Sequence, residues 1–122
     1  LAGKQVLAFQ NAHLFLPQDY AQLIPRFASY QEVVDQQQLP AMLLKNRVDV
    51  LVMDKNIFAY YYQQTAPGDT GLQQLPLFGT NSYHLLGQDS WLVQRFNQAL
   101  LAFMQSPAYR DLQLKYFHQL TQ

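Results

Sequence analysis

Asn46-Arg47-Val48-Asp49-Val50-Leu51-Val52-Met53-Asp54 is the stretch whose reading decides the fold. Asn46-Arg47 reads as a turn. Val48 to Met53 is a nearly continuous apolar run and reads as a strand. Such runs are typical of parallel sheets covered on both faces. Asp54 ends the strand, and a helix is expected from Asn56 to about Gln64.

Working toward the N-terminus, Gln5 to Phe9 is a second short apolar run and reads as a strand after the turn-prone Ala2-Gly3-Lys4. Gln10-Asn11 is a polar break. Asn11 is expected to cap a helix through Leu16, which Pro17 ends or bends. Asp19 is expected to cap a second short turn through Ile24, closed by Pro25. Phe27 to Tyr30 is a strand candidate. From Glu32 to Lys45 the apolar residues Val33, Val34, Leu39, Met42 and Leu43 recur near helical spacing, so a helix is expected. Pro40 requires that helix either to begin near Gln38 or to kink.

Toward the C-terminus, Thr65 to Gly71 contains Pro67-Gly68-Asp69 and reads as a loop. Leu75 to Phe78 and Ser82 to Leu86 read as short strands around Gly79. A helix follows, capped by Asp89 or Ser90 and running to about Gln105, with a stripe of Leu92, Val93, Phe96, Ala99, Leu100 and Phe103. Ser106 as N-cap and Pro107 at the first helical position start another. Its stripe is Tyr109, Leu112, Tyr116, Phe117 and Leu120. Strands alternating with helices indicate an α/β fold with a mainly parallel sheet.

The composition excludes several function classes. The 122 residues suit one compact domain, and nearly half are hydrophobic. The formal net charge is zero, so the electrostatic footprint of nucleic-acid binding is missing. There is no cysteine, hence no disulfide framework and no thiolate nucleophile. No apolar run approaches the roughly 18 residues of a membrane span. His13, His84 and His118 show no paired metal spacing. The serines lie in no nucleophile motif, and the acids are too scattered to nominate a catalytic pair. Neither enzyme activity nor a cofactor is therefore expected. Tyr60, Tyr61 and Tyr62 are consecutive, so they point in different directions and read as core plus surface, not as a stacking platform. Trp91 reads as packing.

The Asn46–Asp54 stretch resembles the G/N-R-x-D-A-hydrophobic-x-x-D signature of family 3 periplasmic solute-binding proteins of the polar amino-acid type. Other segments agree in order and spacing. Gly3-Lys4-Gln5-Val6 is similar to the family's entry into its second lobe. Ala8 to His13 occupies the place of its strand-to-helix ligand loop. Tyr83 to Leu86, then Leu92, Phe96 to Leu100 and Tyr109 to Leu112, resemble its return strand and two terminal helices. The resemblance implies a three-layer αβα lobe of the type II binding-protein kind. Residues 1–82 would be lobe two, and residues 83–122 the return strand and helices that complete lobe one. Family members are about twice this length. The first part of lobe one, with its Arg for the ligand carboxylate, would then lie outside this chain.

Two segments are the candidate site. At the carboxyl end of a parallel strand, Met53 and Asp54 lie where open α/β sheets bind ligands. The resemblance implies that Asp54 receives an α-ammonium group, whereas its alternative role is the helix N-cap. Gln10, Asn11, Ala12 and His13 form the second segment, where backbone N–H groups after a strand suit an anion such as an amino-acid carboxylate. Ala12 and His13 depart from the Gly and Thr or Ser usual in the family. Arg47 and Asp49 are expected to serve the turn before the strand. The implied function is the substrate-binding component of an ABC importer, periplasmic, with an amino acid as ligand and a membrane permease as partner. A homodimer of the chain alone is a further expectation. The rivals are an extracytoplasmic sensor of the same fold, a periplasmic dehydratase and a regulatory lobe of a murein-cleaving enzyme.

Overall fold

The computed structural model describes residues 1–65, 71–80 and 82–117. The chain forms two compact units, Leu1–Phe78 and Gly79–Gln122. The first unit is α/β. Its sheet has three strands, β1 (Gln5–Phe9), β2 (Ser29–Val33) and β3 (Val50–Val52), in the order β2-β1-β3. Both pairings are parallel, with Ala8 opposite Glu32 on one side and Val52 on the other. Helices α1 (Ala12–Phe15) and α2 (Gln18–Leu23) connect β1 to β2, α3 (Leu39–Leu44) connects β2 to β3, and α4 (Lys55–Thr65) follows β3.

Strand β1 forms as its apolar run suggests, and its central position explains its burial. Val6, Leu7 and Ala8 are all buried. Alternate side chains of a strand face opposite sides. Val6 and Ala8 pack with Val52, Ala12 and Tyr20, and Leu7 is buried on the other face. Tyr20 anchors an aromatic cluster, with the Phe27, Tyr30 and Phe78 rings at 6.4, 6.1 and 5.6 Å between centroids.

Asp49 serves the sheet entry. Its Oδ2 accepts from the Gln5 N–H at 2.8 Å, and its own N–H donates to the Gln5 carbonyl at 3.0 Å. The Arg47 N–H donates to the Met42 carbonyl at 3.0 Å, closing the turn in which Asn46 takes a positive φ of 54°. On α4, Tyr62 is buried and its ring stacks on Phe58 at 5.2 Å. Tyr60 and Tyr61 lie on more exposed faces of the same helix.

Several sequence expectations need correction. Glu32 to Lys45 is not one helix. Glu32 and Val33 belong to β2, a 3-10 turn spans Gln36–Gln38, and the helix is Leu39–Leu44 with Pro40 in its first turn. Five residues of pairing to β1 override the helical spacing of the apolar side chains. The strand expected at Phe27–Tyr30 accordingly starts two residues later and ends three later, and the third strand is shorter than Val48–Met53. Pro17, not Asp19, occupies the N-cap position of α2, and Asp19 lies in the helix's first turn. Leu75–Phe78 and Ser82–Leu86 are not strands. Phe78 is held by its ring against Tyr20 rather than by ladder hydrogen bonds. The expected loop at Thr65–Gly71 falls mostly outside the described residues, as does Leu120.

The second unit carries α5 (Ser90–Met104) and α6 (Pro107–Tyr116). Asp89 caps α5, its Oδ1 accepting from the Trp91 and Leu92 N–H groups at 2.9 and 3.2 Å. Ser106 caps α6, accepting from the Tyr109 N–H at 3.3 Å. The Phe103 and Tyr109 rings meet edge to face at 5.5 Å. Arg95 lies over the Trp91 ring at 5.2 Å. The stripe residues Leu92, Phe96, Leu100 and Phe103 are exposed. Among the described residues no helix is long and apolar enough to cross a membrane.

Two stability outcomes follow from this packing. Tyr20→Ala should lower the unfolding free energy by about 3–5 kcal/mol, the range for emptying a large aromatic site. A urea midpoint showing a loss below about 1 kcal/mol would mean the aromatic cluster is dispensable. Asp49→Ala should cost about 1 kcal/mol through the lost acceptor for the Gln5 N–H. Asp49→Asn, which keeps an oxygen there, should cost less, and equal losses for the two would refute the hydrogen-bond account.

Candidate functional site at the carboxyl edge of the sheet

Because all three strands are parallel, their carboxyl ends share one edge. Gln10–His13 follows β1 and Met53–Asp54 follows β3, its direct neighbour, so the structure brings both candidate segments to that edge. The chain leaves β1 for β2 on one side and then crosses to β3 on the other. Such a reversal of strand order opens a crevice at the carboxyl ends of the two diverging strands.

The β1 loop is held by a residue that the sequence reading assigned to a helix. Glu32 lies near the carboxyl end of β2, opposite Ala8. Its Oε2 accepts from the Asn11 N–H at 2.8 Å. Its Oε1 accepts from the His13 N–H at 3.0 Å and from the Tyr30 hydroxyl at 2.7 Å, and it lies 2.7 Å from His13 Nδ1. The Tyr20 hydroxyl donates in turn to that of Tyr30 at 3.3 Å. Asn11 takes a left-handed conformation, φ 63° and ψ 20°, which Asn tolerates better than most residues. It makes no side-chain cap, contrary to expectation, because Glu32 supplies the acceptor that the loop N–H groups need. Gln10 extends the sheet, donating its N–H to the Val33 carbonyl at 3.1 Å. Ala12 is fully buried in the core and presents no polar side chain.

These contacts set the electrostatics. Burial alone would raise the Glu32 pKa, but hydrogen bonds from the His13 N–H, the His13 ring, the Tyr30 hydroxyl and the Asn11 N–H outweigh it and hold it at about 2. Burial, with Tyr20 and the Glu32 carboxylate beside it, pushes the Tyr30 phenol above its ordinary range. Burial likewise raises Tyr20. The position where an external carboxylate was expected is therefore taken by an internal one.

On the other segment, Asp54 caps α4. Its Oδ1 accepts from the Asn56 and Ile57 N–H groups at 2.7 and 3.0 Å. Oδ2 takes no part in that cap, and the residue is exposed, so one carboxylate oxygen faces solvent at the edge. Met53 is partly buried just before it. Among the described residues no three His, Asp or Glu side chains gather as a metal set. A concavity of about 370 Å3 is lined by Leu1, Ala2, Tyr20, Leu23, Phe27 and Phe78, among others. Leu1, Ala2 and Phe27 precede β1 and β2, so it lies toward the amino ends of the strands, away from the candidate residues.

Glu32 is the residue that sequence reasoning missed. The signal was present in Tyr30 and Glu32, two apart on a strand and so on one face. Comparison with protein-family models, with curated proteins and with solved structures finds no match.

The low Glu32 pKa gives a signed pH dependence. The folded state favours the ionised carboxylate, whose ordinary pKa is 4.5. Its contribution is full above 4.5 and is lost as pH falls toward about 2. Glu32→Gln should destabilise the protein by about 1–3 kcal/mol at neutral pH. The gap to the wild type should close as the pH is lowered through that window. Denaturation curves showing a gap independent of pH would refute the assignment.

Proposed function

We propose that this chain is the second lobe and return segment of a periplasmic solute-binding protein of family 3, polar amino-acid type, serving an ABC importer. The observation that carries the reading is the pairing of β1 with β3. It sets the Gln10–His13 and Met53–Asp54 loops side by side at the carboxyl edge. Small solutes bind open α/β sheets at such a place. The Asn46–Asp54 pattern supplies the family, and the parallel α/β sheet is compatible with a three-layer αβα lobe. On this reading the protein binds and releases a solute without chemical turnover. Its partners are the transporter's permease and the first lobe, with a second copy as partner for the chain alone.

Asp54 is the residue assigned to the ligand's ammonium group. A hydrogen bond to a charged group contributes about 1.5–3 kcal/mol. Asp54→Asn keeps a side-chain oxygen for the α4 cap and removes the charge. In the protein carrying both lobes, calorimetric titration with the common amino acids should find at least one that binds, and Asp54→Asn should weaken it more than tenfold. Thermal stability should change little. An unchanged affinity would leave Asp54 as a helix cap only, and the absence of binding by every amino acid would refute the amino-acid assignment.

A further inference from the structure

The Glu32 network fixes what the β1 loop shows to solvent. An ionised carboxylate only accepts hydrogen bonds. The 2.7 Å contact between Glu32 Oε1 and His13 Nδ1 therefore places the proton on Nδ1. In the neutral imidazole, Nε2 is then a bare acceptor. The His13 side chain is 45% exposed while that of Glu32 is 16% exposed, so the ring is anchored at its inner nitrogen and open beyond it. The Asn11 and His13 N–H groups, the loop's own anion donors, are already filled by Glu32.

We propose that His13 meets the solute through Nε2, as acceptor for an N–H or O–H group, and that Glu32 is the positioning residue that prepares it. No solute carboxylate docks on the Asn11–His13 amides. The ligand class is thus a polar solute that brings a hydrogen-bond donor, not an anion, to this loop. The inference rests on the solute-binding reading of the carboxyl edge. It assigns His13 a contact distinct from the ammonium position at Asp54.

The test uses the protein carrying both lobes, labelled with 15N-histidine, at a pH where the 15N shifts show a neutral His13 ring. The probes are the common amino acids and their carboxamides. The His13 spectrum, assigned by its loss in His13→Asn, should show a protonated Nδ1 and a bare Nε2. At least one probe should shift Nε2 saturably, and its acid and carboxamide forms should do so alike. His13→Asn keeps a donor at the place of Nδ1 and removes Nε2. It should weaken that probe about tenfold, the loss of one hydrogen bond, with an unchanged melting temperature. His13→Gln, whose terminal carbonyl reaches the place of Nε2, should recover most of the affinity. A protonated Nε2, a bound probe that leaves Nε2 unmoved, or binding by free acids alone would overturn this proposal and leave the solute-binding reading standing. Silence from every probe would refute the amino-acid assignment and this proposal with it.

Discussion

Both ladders of the sheet run through β1, and the first unit depends on that double pairing. Gln5–Phe9 gives its hydrogen bonds to β2 on one side and β3 on the other. With strands on both edges and apolar packing on both faces, Val6, Leu7 and Ala8 lose almost all contact with water. The two small residues Ala8 and Ala12, both fully buried, leave room for the Tyr20 ring in the same cluster. A strand held in this way cannot shift register without exposing its apolar set. Its carboxyl end is therefore a fixed point, and the loop that leaves it starts from a defined place.

That loop has too little sequence of its own to define its shape. Helix α1 is a single turn, and Asn11 contributes no side-chain cap. A carboxylate largely shielded from water does the work instead. Removing Glu32 from water is unfavourable, and the donors that converge on it offset the cost. Two of these donors are loop amides, one is the His13 ring and one is the Tyr30 hydroxyl, itself tied to Tyr20 in the core. The same group thus joins the aromatic core, the edge strand and the loop. It also changes the chemistry of the edge. The Asn11 and His13 N–H groups that would suit an anion are occupied from within, and His13 Nε2 and Asp54 Oδ2 lie outside these hydrogen bonds.

Local signals were legible along the chain. The bounds of β1 follow from five residues between a glycine turn and a polar break. Ser106 reads as a helix cap, Asp89 as one of two candidates with Ser90, and Asp54 as a cap or a ligand contact, and each of the three accepts backbone N–H groups of the helix it precedes. Asp49 reads as a residue serving the turn before β3, and its carboxylate joins that turn to β1. These features involve neighbours a few residues apart, or the burial pattern of one short run, so the side chains themselves specify them.

Tertiary structure alone decided how far β2 runs and what it carries. A strand is expected at Phe27–Tyr30, but Val33 belongs to a helix-like apolar spacing continuing into Leu39 and Met42, and only the ladder to β1 carries the strand through Glu32 and Val33. The short segments around Gly79 have the composition of strands, yet no strand forms there among the described residues, because a strand requires a partner that composition does not supply. The role of Glu32 belongs to the same class. Its donors lie 19 and 21 residues away along the chain, apart from Tyr30, and meet only after the sheet has closed. Apolar periodicity and capping are encoded locally, so the sequence determined the strands at the centre and most helix starts. Strand pairing and the convergence of donors on Glu32 are non-local, so the extent of the edge strand and the polar network of the site were settled by the fold.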